Sequence, residues 1–99
     1  MATLHLLAHS PFSDSRFASC LRLLGPQDGL LLSGDAVYAL QPGTVQLQAL
    51  QLMPQSIALY ALDEDLQARG LPVPDRAQAV DYPAFVELCA TYAKVNSWL

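Results

Sequence analysis

The sequence predicts an α/β fold, with a mostly parallel sheet of about four to five strands and helices on both faces in three layers. Three observations predict it. First, Thr3 to Ala8, Leu30 to Leu32 and Ile57 to Leu62 are apolar without alternation, the pattern of strands covered on both sides. Second, the stretches between them carry apolar residues at spacings of three and four, the helical period. Third, strands alternating with helices require crossover connections, and these produce parallel pairing. At 99 residues the chain is one domain, 1–99.

In chain order, Thr3 to Ala8 is the first strand, closed by Ser10-Pro11. Ser13 or Asp14 caps a helix with the stripe Phe17, Cys20, Leu21 and Leu24, ended by Gly25-Pro26. Asp28-Gly29 turns into the second strand, Leu30 to Leu32. Ser33-Gly34-Asp35 leads to a helical turn over Ala36 to Leu40, with Asp35 as its cap. Val45 to Leu52 reads equally as a helix or as a short strand plus helix. Ile57 to Leu62 is the clearest strand, and Asp63-Glu64-Asp65 opens the next helix where the dipole favours negative charge. Arg69 closes that helix and Gly70 follows as its C′ residue. Ala79 to Asp81 is a short strand, and Pro83 lies in the first turn of a last helix with the stripe Phe85, Leu88-Cys89 and Tyr92, read as including Lys94.

Composition excludes several functions. Nine Asp+Glu against five Lys+Arg give a formal net charge of −4, unsuited to neutralising phosphates, so direct nucleic-acid or anionic-membrane binding is disfavoured. No apolar run reaches the roughly 18 residues of a membrane span, and the first residues lack the basic region of a signal peptide. A cytoplasmic protein with two free thiols, Cys20 and Cys89, is expected. The residues AVILMFWYC make up 53% and charged residues only 14%. So small a domain needs more polar groups to cover itself, which implies burial against other subunits.

Candidate chemistry is sparse. Cys20 is the best nucleophile on offer, with Arg16 one turn earlier, but it also belongs to the apolar stripe of its helix, and both readings stay open. His5 and His9 share one face of the first strand, and no third ligand completes a metal site. His5 reads as a hydrogen-bonded core or interface residue, whereas His9 with Ser10 could orient a thiol at the strand end. Ser33-Gly34-Asp35 could present amides to an anion. Neither dinucleotide nor P-loop glycine motifs occur, and no cofactor is implied. Ligands on such sheets lie beyond the carboxyl ends of the strands, here His9-Ser10, Ser33 to Asp35 and Leu62-Asp63. Trp98, a large aromatic where fraying polar residues are usual, is expected to pack on an interface or on the domain body.

Taken together, Leu4-His5, Ser10-Pro11-Phe12, the run Leu30 to Ala39, Tyr60-Ala61-Leu62, Ala68-Arg69-Gly70, Asp81 to Val86 and Ser97-Trp98 resemble the TusB/DsrH family of the sulfur relay across nearly the full length. The resemblance implies a DsrE-like fold and assembly with TusC-like and TusD-like subunits into a heterohexamer. It also implies sulfur delivery through a downstream carrier to 2-thiouridine at the tRNA wobble position, with tRNA met only indirectly. In sulfur-oxidising bacteria the equivalent DsrH-like subunit serves sulfur oxidation. The catalytic paralogue carries its cysteine at the start of the helix that ends in Arg-Gly. Here that start is Leu62-Asp63, with no cysteine. The resemblance therefore points to a subunit that is not the primary sulfur carrier. A persulfide-carrying transferase using Cys20, a position matched in DsrH-type members, is the alternative, and a free-standing small-molecule binder is a third class.

Overall fold

The structure, a computed structural model, describes residues 2–98. Ten elements follow in order: β1 (Thr3–Leu7), α1 (Arg16–Leu23), β2 (Gly29–Leu32), a 3-10 helix (Gly34–Leu40), α2 (Val45–Gln51), β3 (Ala58–Leu62), α3 (Asp63–Ala68), β4 (Gln78–Val80), α4 (Tyr82–Thr91) and β5 (Lys94–Trp98). The strands form one sheet in the order β4-β3-β2-β1-β5, and every neighbouring pair is parallel.

This order decides where the helices go. From β1 to β4 the chain steps across the sheet in one direction. Right-handed crossovers then place every intervening helix on one face. From β4 it returns past three strands to lie beside β1 as β5, so α4 falls on the other face. The packing agrees. Leu7, Leu30, Leu32, Leu59 and Ala61 point into a core shared with Phe17 and Cys20 of α1, the 3-10 helix, Leu47 and Leu50 of α2 and Leu66 of α3. Leu4, Leu31, Leu62 and Val80 point the opposite way and meet Ala84, Phe85, Leu88 and Cys89 of α4. The first face is thickly covered. On the second, no residue of α4 is fully buried, and Val86 and Tyr82 are exposed.

Local chemistry sets the boundaries. The N-cap of α1 is Ser15, not Ser13 or Asp14, and its side chain makes no capping bond; one residue earlier the Asp14 carboxylate accepts the backbone N–H of Arg16 at 2.9 Å. Thr44 Oγ1 accepts from Leu47 N and settles Val45 to Gln51 as a helix. Asp81 caps α4 by accepting from Ala84 N at 2.9 Å, which takes it out of the strand where the sequence reading put it. Gly70, at φ 63°, occupies the left-handed position after α3.

The last helix does not reach Lys94. It stops at Thr91, and Lys94–Trp98 forms the fifth strand, in register with Thr3–Leu7. As an edge strand, β5 has four exposed residues, Lys94, Val95, Asn96 and Ser97, and so lacks the apolar run that marks a central strand. Trp98 packs on the body of the domain, against the core of the thickly covered face.

Gly29 opens β2 because nothing larger fits. A Cβ there would lie 2.7 Å from Tyr92 Cζ and 3.2 Å from Leu4 Cδ1. Tyr92 is itself held, since burial and then a hydrogen bond with Tyr60 push its phenol up to about 12. Gly29→Ala should therefore destabilise the fold by about 1–3 kcal/mol through overpacking, and Tyr92→Phe, by removing the nearest atom, should recover part of it. Urea unfolding of the two single variants and the double variant checks this.

Candidate functional site at the carboxyl edge of the sheet

In open parallel sheets the ligand crevice lies where neighbouring strands send their helices to opposite faces. Here that point is between β3, which leads into α3 on one face, and β4, which leads into α4 on the other. The residues just past these strands are Asp63 and Asp81. Both are carboxylates, and both are engaged. Asp63 Oδ2 accepts from Gln67 Nε2 at 2.6 Å, and Asp81 caps α4. Neither is a nucleophile for sulfur chemistry.

One strand over, the end of β2 is fastened down. Ser33 donates its backbone N–H and its hydroxyl to Leu7 O at 2.9 and 3.2 Å. Gly34, at φ 52°, donates its N–H to Asp65 Oδ2 of α3 at 2.8 Å. Asp35 does not cap the 3-10 helix, as the sequence reading expected. Its exposed carboxylate accepts from Arg69 Nη2 at 2.8 Å. Arg69 also donates to Asp65 O at 3.2 Å and lies over the Tyr38 ring, 5.7 Å from its centroid. Of the amides that could have met an anion, that of Gly34 is thus answered by the protein's own carboxylate and that of Ser33 by a backbone carbonyl. The start of α3, read from sequence as negative charge placed for the helix dipole, is half-buried at Asp65 and ties α3 to the 3-10 helix.

The remaining predicted positions do not converge on this cluster. His9 is exposed beyond β1. Ser10 shapes the following turn, its hydroxyl accepting from Phe12 N and its carbonyl from Ser13 N. Cys20 is fully buried under α1 in the main core. Burial, and secondarily the charge of Asp28, push its thiol up to about 12, so at neutral pH it is a protonated core side chain.

Trp98 belongs to a second polar assembly that local sequence could not reveal. Its indole Nε1–H donates to His5 Nδ1 at 3.1 Å, and His5 Nε2 lies 3.3 Å from Asp28 Oδ2. Because Nδ1 accepts, the proton of the neutral ring sits on Nε2 and points at Asp28. Asp28, read from sequence as a turn residue, is buried and also accepts from Thr3 N at 2.9 Å and Gly25 N at 2.8 Å. Among the described residues no cluster of three or more His, Cys, Asp or Glu could hold a metal ion. Among them, too, no helix is long and apolar enough to cross a membrane.

A family model for DsrH-like proteins matches residues 9–95. The chain belongs to the TusB/DsrH family. Curated TusB/DsrH relatives agree: "Protein TusB" of Salmonella arizonae is 41% identical over 97 residues, covering 96% of this chain and 99% of the relative. "Protein TusB" of Erwinia tasmaniensis is 40% identical over the same span. The fold of this TusB/DsrH chain is DsrE-like. It superposes on the crystal structure of the ychN protein from E. coli with a TM-score of 0.81 over 99% of both chains, at 18% identity. The solution structure of Tm0979 from Thermotoga maritima is more distant, with a TM-score of 0.60 over 91% of this chain and 92% of that one, at 22% identity.

Proposed function

We propose that this chain is a non-catalytic subunit of a cytoplasmic sulfur-relay complex. In this reading it assembles with TusC-like and TusD-like subunits in a heterohexamer, and the complex passes persulfide sulfur through a further carrier for 2-thiolation of the tRNA wobble uridine. One observation carries the structural role: the crevice between β3 and β4 opens on Asp63, not on a thiol, while Cys20 is 0% exposed. A carboxylate at that point repels an incoming thiolate or persulfide. The relatives named "Protein TusB" support the complex. So do the exposed apolar side chains Tyr82 and Val86 on α4, Val45 on α2 and Leu52 just after it, which offer apolar surface for a partner to cover.

The test is a strain whose only copy is Cys20→Ala. The substitution leaves a small void costing about 1 kcal/mol. The complex should still assemble, with two paralogous small subunits co-purifying, and the 2-thiouridine content of tRNA should stay near wild type. Loss of thiolation with assembly intact would make Cys20 a carrier. A freely soluble monomer that captures neither subunit would remove the complex from the reading.

A further inference from the structure

The geometry points to Trp98, His5 and Asp28 as a proton-operated clasp that holds the end of β5 against the sheet. The three residues come from β5, β1 and the loop before β2, and His5 is the link between the other two. As a neutral ring His5 satisfies both neighbours, accepting from the Trp98 indole and donating to Asp28. A second proton can enter only at Nδ1. That nitrogen would then present an N–H to the N–H of Trp98, and two donors cannot hydrogen-bond each other. The other side of the ring behaves oppositely, because a charged imidazolium donates more strongly to the Asp28 carboxylate. Protonation therefore keeps the His5–Asp28 half of the clasp and opens the Trp98 half.

The surroundings do not cancel this. Asp28 from the loop before β2 faces His5; the Cys20 thiol of α1 feels Asp28, and on β5 the residue in register with His5 is the uncharged Asn96, with Lys94 opposite Thr3. Asp28 holds three hydrogen bonds, from Thr3 N, Gly25 N and His5, so it stays in place when the ring changes charge. What loses a tie is the end of β5, whose other four residues are exposed and whose pairing is to β1 alone. Trp98 pairs with Leu7 at the carboxyl end of β1, beside the Ser33 amide that also bonds Leu7 O. Opening the clasp thus frees the Trp98 indole at the carboxyl end of the sheet, while the backbone pairing of β5 with β1 stays in place.

The chain has one tryptophan, so its indole N–H gives one resonance. The full chain is labelled with 15N-tryptophan and followed by NMR, in the assembly in which it purifies, from about pH 8 to about pH 5, where imidazole ordinarily titrates. The indole proton should move upfield with the same midpoint as the carbon-bound ring protons of His5. Its exchange with water, normalised to hydroxide concentration, should quicken by about tenfold as the pH falls, the loss of one hydrogen bond, where an unchanging site would show a constant normalised rate. In His5→Gln, whose amide oxygen still accepts from Trp98 but cannot charge, both responses should vanish. An indole signal that stays fixed over this range overturns the clasp, as does a response that persists in His5→Gln. If that variant does not fold, unequal midpoints for the indole and the His5 ring in the natural chain overturn it as well.

Discussion

Asp28→Ala should cost the fold about 3 kcal/mol or more, because a single carboxylate answers three donors. The His5 Nε2–H would lose its acceptor in a buried place and the Thr3 and Gly25 N–H groups in half-buried ones, and an orphaned buried donor costs about 1–3 kcal/mol before water or rearrangement recovers part of it. Against a domain stability of about 5–15 kcal/mol, such a loss leaves a chain that unfolds in mild urea or near body temperature. Asp28→Asn keeps one carbonyl acceptor and should lose less. The pH dependence separates the two forms of the residue. Burial raises the Asp28 pKa, but the hydrogen bonds from Gly25, Thr3 and His5 outweigh it, and the carboxyl is held below its ordinary value. A lowered folded-state pKa adds stability that is complete above the ordinary carboxylate range. That stability is lost as the pH falls through the folded value. Melting temperature should therefore drop below about pH 4 in the natural chain and drop less steeply in Asp28→Asn. Parallel acid profiles for the two proteins would show that Asp28 does not hold this loop.

Leu31→Ala should cost a similar amount, about 3 kcal/mol, for a different reason. Leu31 is fully buried in β2, the third of five strands, and pairs with Leu6 on one side and Tyr60 on the other. A central strand bonded on both edges cannot shift to fill the space left by an isobutyl group. Leu31→Met, close in volume, should lose less than about 1.5 kcal/mol. The comparison also tests the α4 face, since α4 has no fully buried residue, yet Leu31 beneath it does not see solvent. If Leu31→Ala unfolds at the same urea concentration as the natural chain, α4 is loosely attached and that side of the sheet is no core.

The sequence disclosed the strands that are buried on both sides, because uninterrupted Leu30-Leu31-Leu32 and Ile57 to Leu62 admit few other readings. β5 stayed hidden because its exposed edge carries lysine, asparagine and serine, and Trp98 alone could not outweigh them. Val45 to Leu52 was ambiguous because Val45, Leu47, Leu50 and Leu52 fit two periods, and the Thr44 cap decides for helix. Cys20 in an apolar stripe was legible as a core position, and its burial matches that side of the reading. Asp28 was missed because an aspartate before a glycine looks like any turn. Its partner His5 lies 23 residues away, and Arg69 lies 34 residues from Asp35. Such pairings leave no trace in local spacing. They become visible only when the strand order brings the residues together.

The pairing of Lys94–Trp98 with Thr3–Leu7 also constrains how the chain reaches its fold. During synthesis the first strand emerges with one edge that β2 can cover early and another that must wait for residues some ninety positions later. Until then its open N–H and C=O groups are a template for any extended segment, including the same strand of a neighbouring nascent chain. Closing so long a loop is slow. The open edge of β1 is therefore most exposed just before β5 emerges, when a chaperone or a partner's strand can occupy the place that β5 will take.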